Sequence, residues 1–245
     1  EVEHLVAKGV RDVTLLGQKV DSYGKDLGNV DLADLLVEVQ RVDGIDRIRF
    51  LTSYPLGVTD KLVDTVASLP KVCEHINIPM QSGDDEQLAL MQRGYTLAQF
   101  QDRMRAIRQR VPGVALSTDV IVGFSGETEA QFQRTLDLME EVRFDVVHVA
   151  MYSLRPGTIA ARTLPDDVPH EVKRGRLHRV EALQECIASE VNAPLLGRTV
   201  EVLAEGEKRG RGEGRTRTNK MVHFDAPSLA LRGEREPRRS WCECV

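Results

Sequence analysis

One unit recurs five times between residue 1 and about residue 160, and it leaves few folds open. A short β-branched run ends in a polar or glycine-rich turn, and an amphipathic helix follows. The runs are 12–16, 47–52, 75–80, 115–122 and 145–152; the helices are carried by 32–42, 60–68, 85–91, 98–110 and 129–142. Near-continuous apolar strands alternating with helices predict a parallel sheet covered on both faces. A half-helix precedes them, with Val2, Leu5, Val6 and Val10 on one face. The pattern predicts an α/β fold, a partial TIM-like barrel lacking its first strand, with a doubly wound open sheet as the alternative. The chain starts at Glu1 without a methionine, already inside that helix, so an upstream part is expected to be missing.

The runs end alike. They lead into Gly17-Gln18-Lys19-Val20-Asp21, Ser53-Tyr54-Pro55, Gln81-Ser82-Gly83, Gly123-Phe124-Ser125-Gly126-Glu127-Thr128 and Ser153-Leu154-Arg155-Pro156-Gly157-Thr158. In a parallel barrel these ends share one rim, where active sites are built. Asp84 and Asp85 suit the start of a helix. Amides, hydroxyls and glycines gathered on one rim suit a ligand with ribose hydroxyls, an amino-acid moiety and an adenine edge. The stretch 123–128 could cradle a phosphate at a helix start. It lacks the Lys-Ser/Thr pair of a P-loop and the three glycines of a dinucleotide loop, so its spacing alone is a weak signal.

Composition narrows the setting. Hydrophobic residues make up 41% and charged residues 29%, the balance of a soluble globular protein. The net charge of −5 gives no global reason to bind nucleic acid, so such a site must be a local patch. No apolar run approaches the roughly 20 residues that cross a bilayer, and no membrane association is expected. Cys73, Cys186, Cys242 and Cys244 are too scattered for a disulfide framework, so a reducing cytoplasm is expected. Cys242-Glu243-Cys244 lacks the spacer typical of metal ligands, and no metal ligand is assigned in this chain.

The C-terminal third changes character. A proline-bearing linker at 165–170 leads into a long helix at 171–191, with Leu177, Val180, Leu183 and Ile187 for packing and Arg and Lys along the exposed side. Strands are expected at 199–204 and 220–224. Between them Lys208, Arg209, Arg211, Arg215, Arg217 and Lys220 stand among glycines, either as an RNA surface or as a solvated charged hairpin. The expected domains are a barrel over 1–165, a linker and helix over 166–195, and a small β-domain over 196–245. After about residue 225 the sequence "SLALRGEREPRRSWCECV" offers no alternating run beyond 229–231. A frameshift or an artificial terminus, and hence an incomplete β-domain, is expected there.

Five stretches, "LLGQKVDSYG", "RIRFLTSYP", "NIPMQSGDDEQLALMQRGYT", "STDVIVGFSGETEAQF" and "YSLRPGTIAA", follow one another in order. Together they resemble the radical S-adenosylmethionine (SAM) methylthiotransferases, tRNA-modifying branch, over nearly all of 1–225. Full-length members have an N-terminal domain with one iron–sulfur cluster, a radical SAM barrel and a C-terminal TRAM domain. A C-x-x-x-C-x-x-C triplet after the first barrel strand holds a [4Fe–4S] cluster that chelates SAM. This chain has no such triplet, so the resemblance implies that the ligands of both [4Fe–4S] clusters lie upstream of Glu1. In the family a 5′-deoxyadenosyl radical takes hydrogen from C2 of an isopentenylated adenine beside the anticodon, and a methylated sulfur is transferred there. The sibling branch methylthiolates a ribosomal-protein aspartate, and a non-catalytic RNA-binding module is a third reading.

The resemblance also implies site residues. Gln81 and Ser82 line the SAM pocket, with Gln18, Ser53, Tyr152 and Arg155 on the same rim. Ser117, Thr118 and Asp119 either reach the ribose or make a strand-start turn. Val122-Gly123-Phe124 lies where the backbone approaches the adenine, and a side chain at Gly123 would block it. No catalytic residue is assigned. "GRTRTNK" is what TRAM domains carry at this point, which implies RNA contacts from Lys208, Arg209, Arg215, Arg217, Asn219 and Lys220. Lys19 replaces the motif's usual Asn, Tyr54 its His and Ser125 its Pro. The implied partners are tRNA and an electron donor such as flavodoxin or ferredoxin, and the implied state is a monomer.

Overall fold

The computed structural model describes residues 1–51 and 53–225, and the backbone of 239–243. After helix α1 (Val2–Val6) come strands β1 (Asp12–Leu15), β2 (Arg47–Phe50), β3 (His75–Asn77), β4 (Ala115–Val122) and β5 (Val146–Met151). Between them lie α2 (Leu32–Gln40), α3 (Asp60–Ser68), α4 (Asp85–Leu90), α5 (Leu97–Arg110) and α6 (Glu129–Val142). The helices start where side chains satisfy their orphan amides. Asp31 with Asp34, Thr96 with Gln99 and Thr128 with Gln131 form reciprocal capping boxes. Asp84 caps α4 by accepting from the Gln87 amide at 3.0 Å.

The pairings are parallel: β1 with β2, β3 with β4, and β4 with β5. A bridge between Ile48 and Val72, and the Ser53 amide donating to the Asn77 carbonyl at 3.3 Å, join the two sheets. The five strands therefore form one open arc in chain order, without the reversal of a doubly wound sheet and without closure. Ile48, Phe50, Ile76, Phe100, Phe132 and Phe144 are fully buried in its core.

The expectation of strands covered on both faces fails at β5. Its alternate residues Val146, His148 and Ala150 are exposed, while Val147, Val149 and Met151 pack against the hydrophobic core. The cause is its place at the end of the arc, where helix α8 (His170–Asn192) covers one face only. On α8, Val180 and Ile187 are buried as expected. Lys173 and Arg176, expected in solvent, are buried too. Lys173 pairs with Asp166 and donates to the Tyr152 carbonyl at 3.0 Å, and Arg176 donates to the Glu127 carboxylate at 2.8 Å. Short helix α7 (Ile159–Thr163) precedes α8.

The β-domain holds β6 (Thr199–Lys208), β7 (Arg211–Arg215), β8 (Met221–Phe224) and β9 (Arg239–Glu243), antiparallel in the order β8-β7-β6-β9. β7 was not legible because "RGEGR" has weak strand propensity. Its glycines are there for space: a side chain at Gly212 would meet the Phe224 ring, and one at Gly214 the Leu203 carbonyl. β9, which lies after residue 225, runs beside β6 from Thr199 to Leu203. Residues 226–238 and 244–245 lie outside the described residues.

The turn between β7 and β8 plugs the N-terminal ends of the parallel strands. Arg47 and Arg49 alternate with Ile48 and Phe50 on β2, so both guanidinium groups point into the arc, where they are almost wholly buried. Arg47 donates to the Arg215 carbonyl and pairs with Glu201 at 3.2 Å. Arg49 donates to the Thr216 carbonyl at 2.9 Å and pairs with Asp12 at 3.1 Å. In return Arg217 forks onto Glu74 at 2.8 and 2.6 Å, and Lys220 reaches Asp145 at 2.6 Å.

Candidate functional site

At the opposite, C-terminal ends of the strands lies a cavity of about 440 Å³, lined by Gln18, Lys19, Ser53, Tyr54, Gln81, Arg93, Tyr95, Asp119 and His148 among others. It gathers three of the expected rim residues, Gln18, Ser53 and Gln81, together with Asp119 from within β4. Gln81 is the most constrained. Its φ is 68°, the left-handed region that costs a side-chain-bearing residue about 1–3 kcal/mol. The arc enforces it: the Gln81 amide donates to the Asp119 carbonyl at 2.7 Å, and its carbonyl accepts from the Ile121 amide at 2.9 Å. Ser53 is buried, and its hydroxyl has no partner. A buried hydroxyl left unpaired costs about 1–3 kcal/mol, so a ligand that supplies the missing bond gains from it.

Other expected residues sit elsewhere. The Thr118 hydroxyl accepts from the Met80 amide and donates to the Ile78 carbonyl, both at 2.8 Å. Ser117 meets His75 at 3.1 Å and Asn77 at 3.2 Å. Both are spent on tying β3 to β4 in mid-strand. Ser82 is buried with an unpartnered hydroxyl but does not line the cavity. Tyr152 lines a neighbouring cavity of about 360 Å³ with Phe124, which it meets edge-on at 4.6 Å; its own hydroxyl is buried and unpartnered. The two cavities share Arg93 and Ile121. Gly123 has φ 71°, and the space a side chain would take there is filled by the stem of Lys173. Arg155 is exposed beyond β5 and lines none of these cavities.

Sequence reasoning missed Arg93, Tyr95 and His148. Tyr95 and Arg93 follow α4 in "MQRGYT", where left-handed Gln92 and Gly94 turn the chain back toward the rim. The signal was the lone glycine after a helix. Lys19 and Tyr54, two departures from the resembled motif, meet each other: the Lys19 ammonium lies 4.8 Å from the centre of the Tyr54 ring.

The six expected RNA contacts divide. Lys208 and Arg209 are exposed at the β6–β7 turn. Arg215 is half-buried and pairs with Glu205 at 3.2 Å, and Asn219 makes the left-handed turn before β8. Arg217 and Lys220 are engaged with Glu74 and Asp145 at the far end of the arc from the cavity.

A parallel arc with its polar cavity at the C-terminal strand ends is the architecture of TIM-like α/β enzymes. Residues 1–139 match the radical SAM superfamily, and the chain belongs to it. Within that superfamily it is 50% identical over 232 residues to the tRNA-2-methylthio-N(6)-dimethylallyladenosine synthase of Chloroflexus aurantiacus, covering 93% of this chain and 50% of the relative. The enzyme of that name from Herpetosiphon aurantiacus is also 50% identical, over 92% of this chain and 52% of the relative. The chain thus spans about half the length of the curated relatives it matches. Among solved structures, coproporphyrinogen III oxidase from Escherichia coli superposes with a TM-score of 0.59 at 16% identity, over 76% of this chain and 44% of that one. Methylornithine synthase gives 0.51 at 14% identity, over 75% and 52%. At these identities the likeness is one of fold.

Membership implies SAM and a [4Fe–4S] cluster. The cavity fits the first: an unpaired buried hydroxyl, a strained amide and the Asp119 carboxylate converge on a space of nucleoside size. Nothing described here fits the second, since no group of three or more His, Cys, Asp or Glu among the described residues could hold a metal ion. No described helix is long and apolar enough to cross a membrane.

Proposed function

We propose that this chain carries the SAM-binding arc and an RNA-contacting β-domain of an enzyme that methylthiolates C2 of N6-isopentenyladenosine beside the anticodon of tRNA. The observation that carries the reading is Gln81, held in a strained conformation at the mouth of the cavity beside the unpartnered Ser53 hydroxyl. Identity of 50% to synthases of that name supports the substrate assignment. In this reading Ser53 and Gln81 hydrogen-bond the amino-acid and ribose parts of SAM, and Asp119 accepts from a ribose hydroxyl. Gln18, exposed on the rim, contacts the same ligand from the first strand end. Phe124 and Tyr152 offer an aromatic wall that excludes water from an adenine. When bound, SAM supplies the methyl group and, with a reduced cluster, the one-electron chemistry that a C–H bond at C2 demands.

Both [4Fe–4S] clusters belong to parts of the whole protein other than these residues, and a flavodoxin- or ferredoxin-like donor reduces them. The enzyme works as a cytoplasmic monomer, in keeping with the free cysteines Cys73 and Cys186. Lys208 and Arg209 are exposed cations of the β-domain that would meet RNA phosphates. The full-length protein, with reconstituted clusters and a reductant, should release 5′-deoxyadenosine from SAM and add a methylthio group to isopentenylated tRNA. Absence of both products sinks the reading, and modification of a ribosomal-protein aspartate instead replaces it with the sibling activity.

A further inference from the structure

Two cations at the mouth of the cavity have no acidic partner among the described residues. Lys19 is exposed in the loop after β1, and its ammonium rests over the Tyr54 ring. Arg93 follows α4, lines both cavities, and its buried Nε meets no acceptor. Tyr54 contacts both residues. Its hydroxyl donates to the Arg93 carbonyl at 2.8 Å, its amide donates to Asp21 at 2.7 Å, and its ring meets Tyr95 edge-on at 5.7 Å. The Tyr95 hydroxyl donates in turn to the Met80 carbonyl at 2.9 Å, one residue before Gln81. The cations are thus tied to the frame that strains Gln81.

We infer that Lys19 and Arg93 form a phosphate clamp at the cavity mouth, gripping the RNA backbone on either side of the nucleotide whose base enters. The inference rests on the reading of the protein as a tRNA-modifying enzyme. A base presented to an enclosed site must leave its stack, while its phosphates stay outside in water. They then lie at the rim, where only a rim cation can meet them. Arg217 and Lys220 cannot serve there, being spent on Glu74 and Asp145 at the other end of the strands. SAM carries one other anion that could reach Arg93, its carboxylate. Lys19, on the outer lip, favours a polyanion laid across the mouth over a small ligand held within it.

Phosphate contacts release counterions, so each one steepens the salt dependence of binding by about 0.7–0.9 in log–log slope. The test uses the full-length protein with its clusters and saturating SAM, titrated with isopentenylated tRNA across a salt series. Lys19→Gln and Arg93→Gln should each flatten the slope by about that amount, and together by about 1.5. Tyr54→Phe, which frees only the Arg93 carbonyl, should weaken tRNA binding less than Arg93→Gln does. Lys19→Gln lies on an exposed loop and tests the clamp even if the Arg93 variant folds poorly. Unchanged slopes in both single variants overturn the clamp. So does an unchanged slope in Arg93→Gln joined to a tenfold loss of SAM affinity, which would assign Arg93 to the SAM carboxylate. A parent protein that binds no tRNA at all overturns the tRNA reading itself, and the clamp with it.

Discussion

Replacing Arg217 with Ala should loosen the β-domain from the arc, and the cost can be worked from its contacts. The guanidinium makes three hydrogen bonds to Glu74, at 2.6, 2.8 and 3.2 Å, one to the Pro70 carbonyl at 2.7 Å and one to the Val72 carbonyl at 2.6 Å. Hydrogen bonding to Glu74 raises the affinity of Arg217 for its proton. Charge-assisted bonds contribute about 1.5–3 kcal/mol each when fully desolvated. Here both side chains keep about a quarter of their surface in water, 27% each, so water replaces much of what is lost. The expected loss for Arg217→Ala is about 2 kcal/mol. Arg217→Lys, which keeps the charge but not the planar fork, should lose about half as much. In a double-mutant cycle with Glu74→Ala the coupling should be about 1–2 kcal/mol. Urea unfolding of the parent and the variants followed by circular dichroism reads these losses. A coupling below about 0.3 kcal/mol would refute the latch, because that is the additivity expected of independent sites.

Gln81→Gly should relieve the left-handed strain and raise stability by up to about 1 kcal/mol, read by thermal unfolding, while calorimetry on the full-length protein should show at least a tenfold loss of SAM affinity. Gly123→Ala, strained and directed onto the Lys173 stem, should cost about 1–3 kcal/mol in urea unfolding with no ligand present. His75 is held neutral to about pH 4, chiefly by burial and secondarily by the Arg49 charge. The unfolded chain takes up that proton near pH 6.5. Stability should therefore fall as pH drops from about 6.5 to about 4, by about 3 kcal/mol from this group, and flatten below. His75→Gln should show a shallower fall across that window in denaturant titrations at stepped pH.

The parallel arc was legible because its signal is periodic and local: strand, polar end, helix, with capping residues at the predicted starts. Strand direction also sends Gln18, Ser53 and Gln81 to one edge, where they line the cavity; Asp119, inside β4, was expected only through the family resemblance. Thr118 shows the limit. It is polar like its neighbour Asp119, but its hydroxyl is taken up by the Met80 amide and Ile78 carbonyl while Asp119 lines the cavity, and that register is not written in composition. The fate of Arg217 and Lys220 could not be read either. A guanidinium suits phosphate and carboxylate equally, and only the fold brings Glu74 and Asp145 to it from more than seventy residues away. Lys173 misled in the same way, because a helix face reads as solvent until Asp166 and the Gly123 hollow are placed beneath it.

The strand-end cavity is proposed to serve a tRNA methylthiotransferase. The most direct measurement is nucleoside mass spectrometry of tRNA from cells lacking the gene, complemented with the full-length protein or with its Gln81→Ala variant at equal abundance. The parent protein should give 2-methylthio-N6-isopentenyladenosine, and the unmethylthiolated nucleoside should accumulate with the variant. Full modification by the variant would contradict the cavity's assignment, and no methylthio nucleoside with the parent would contradict the function.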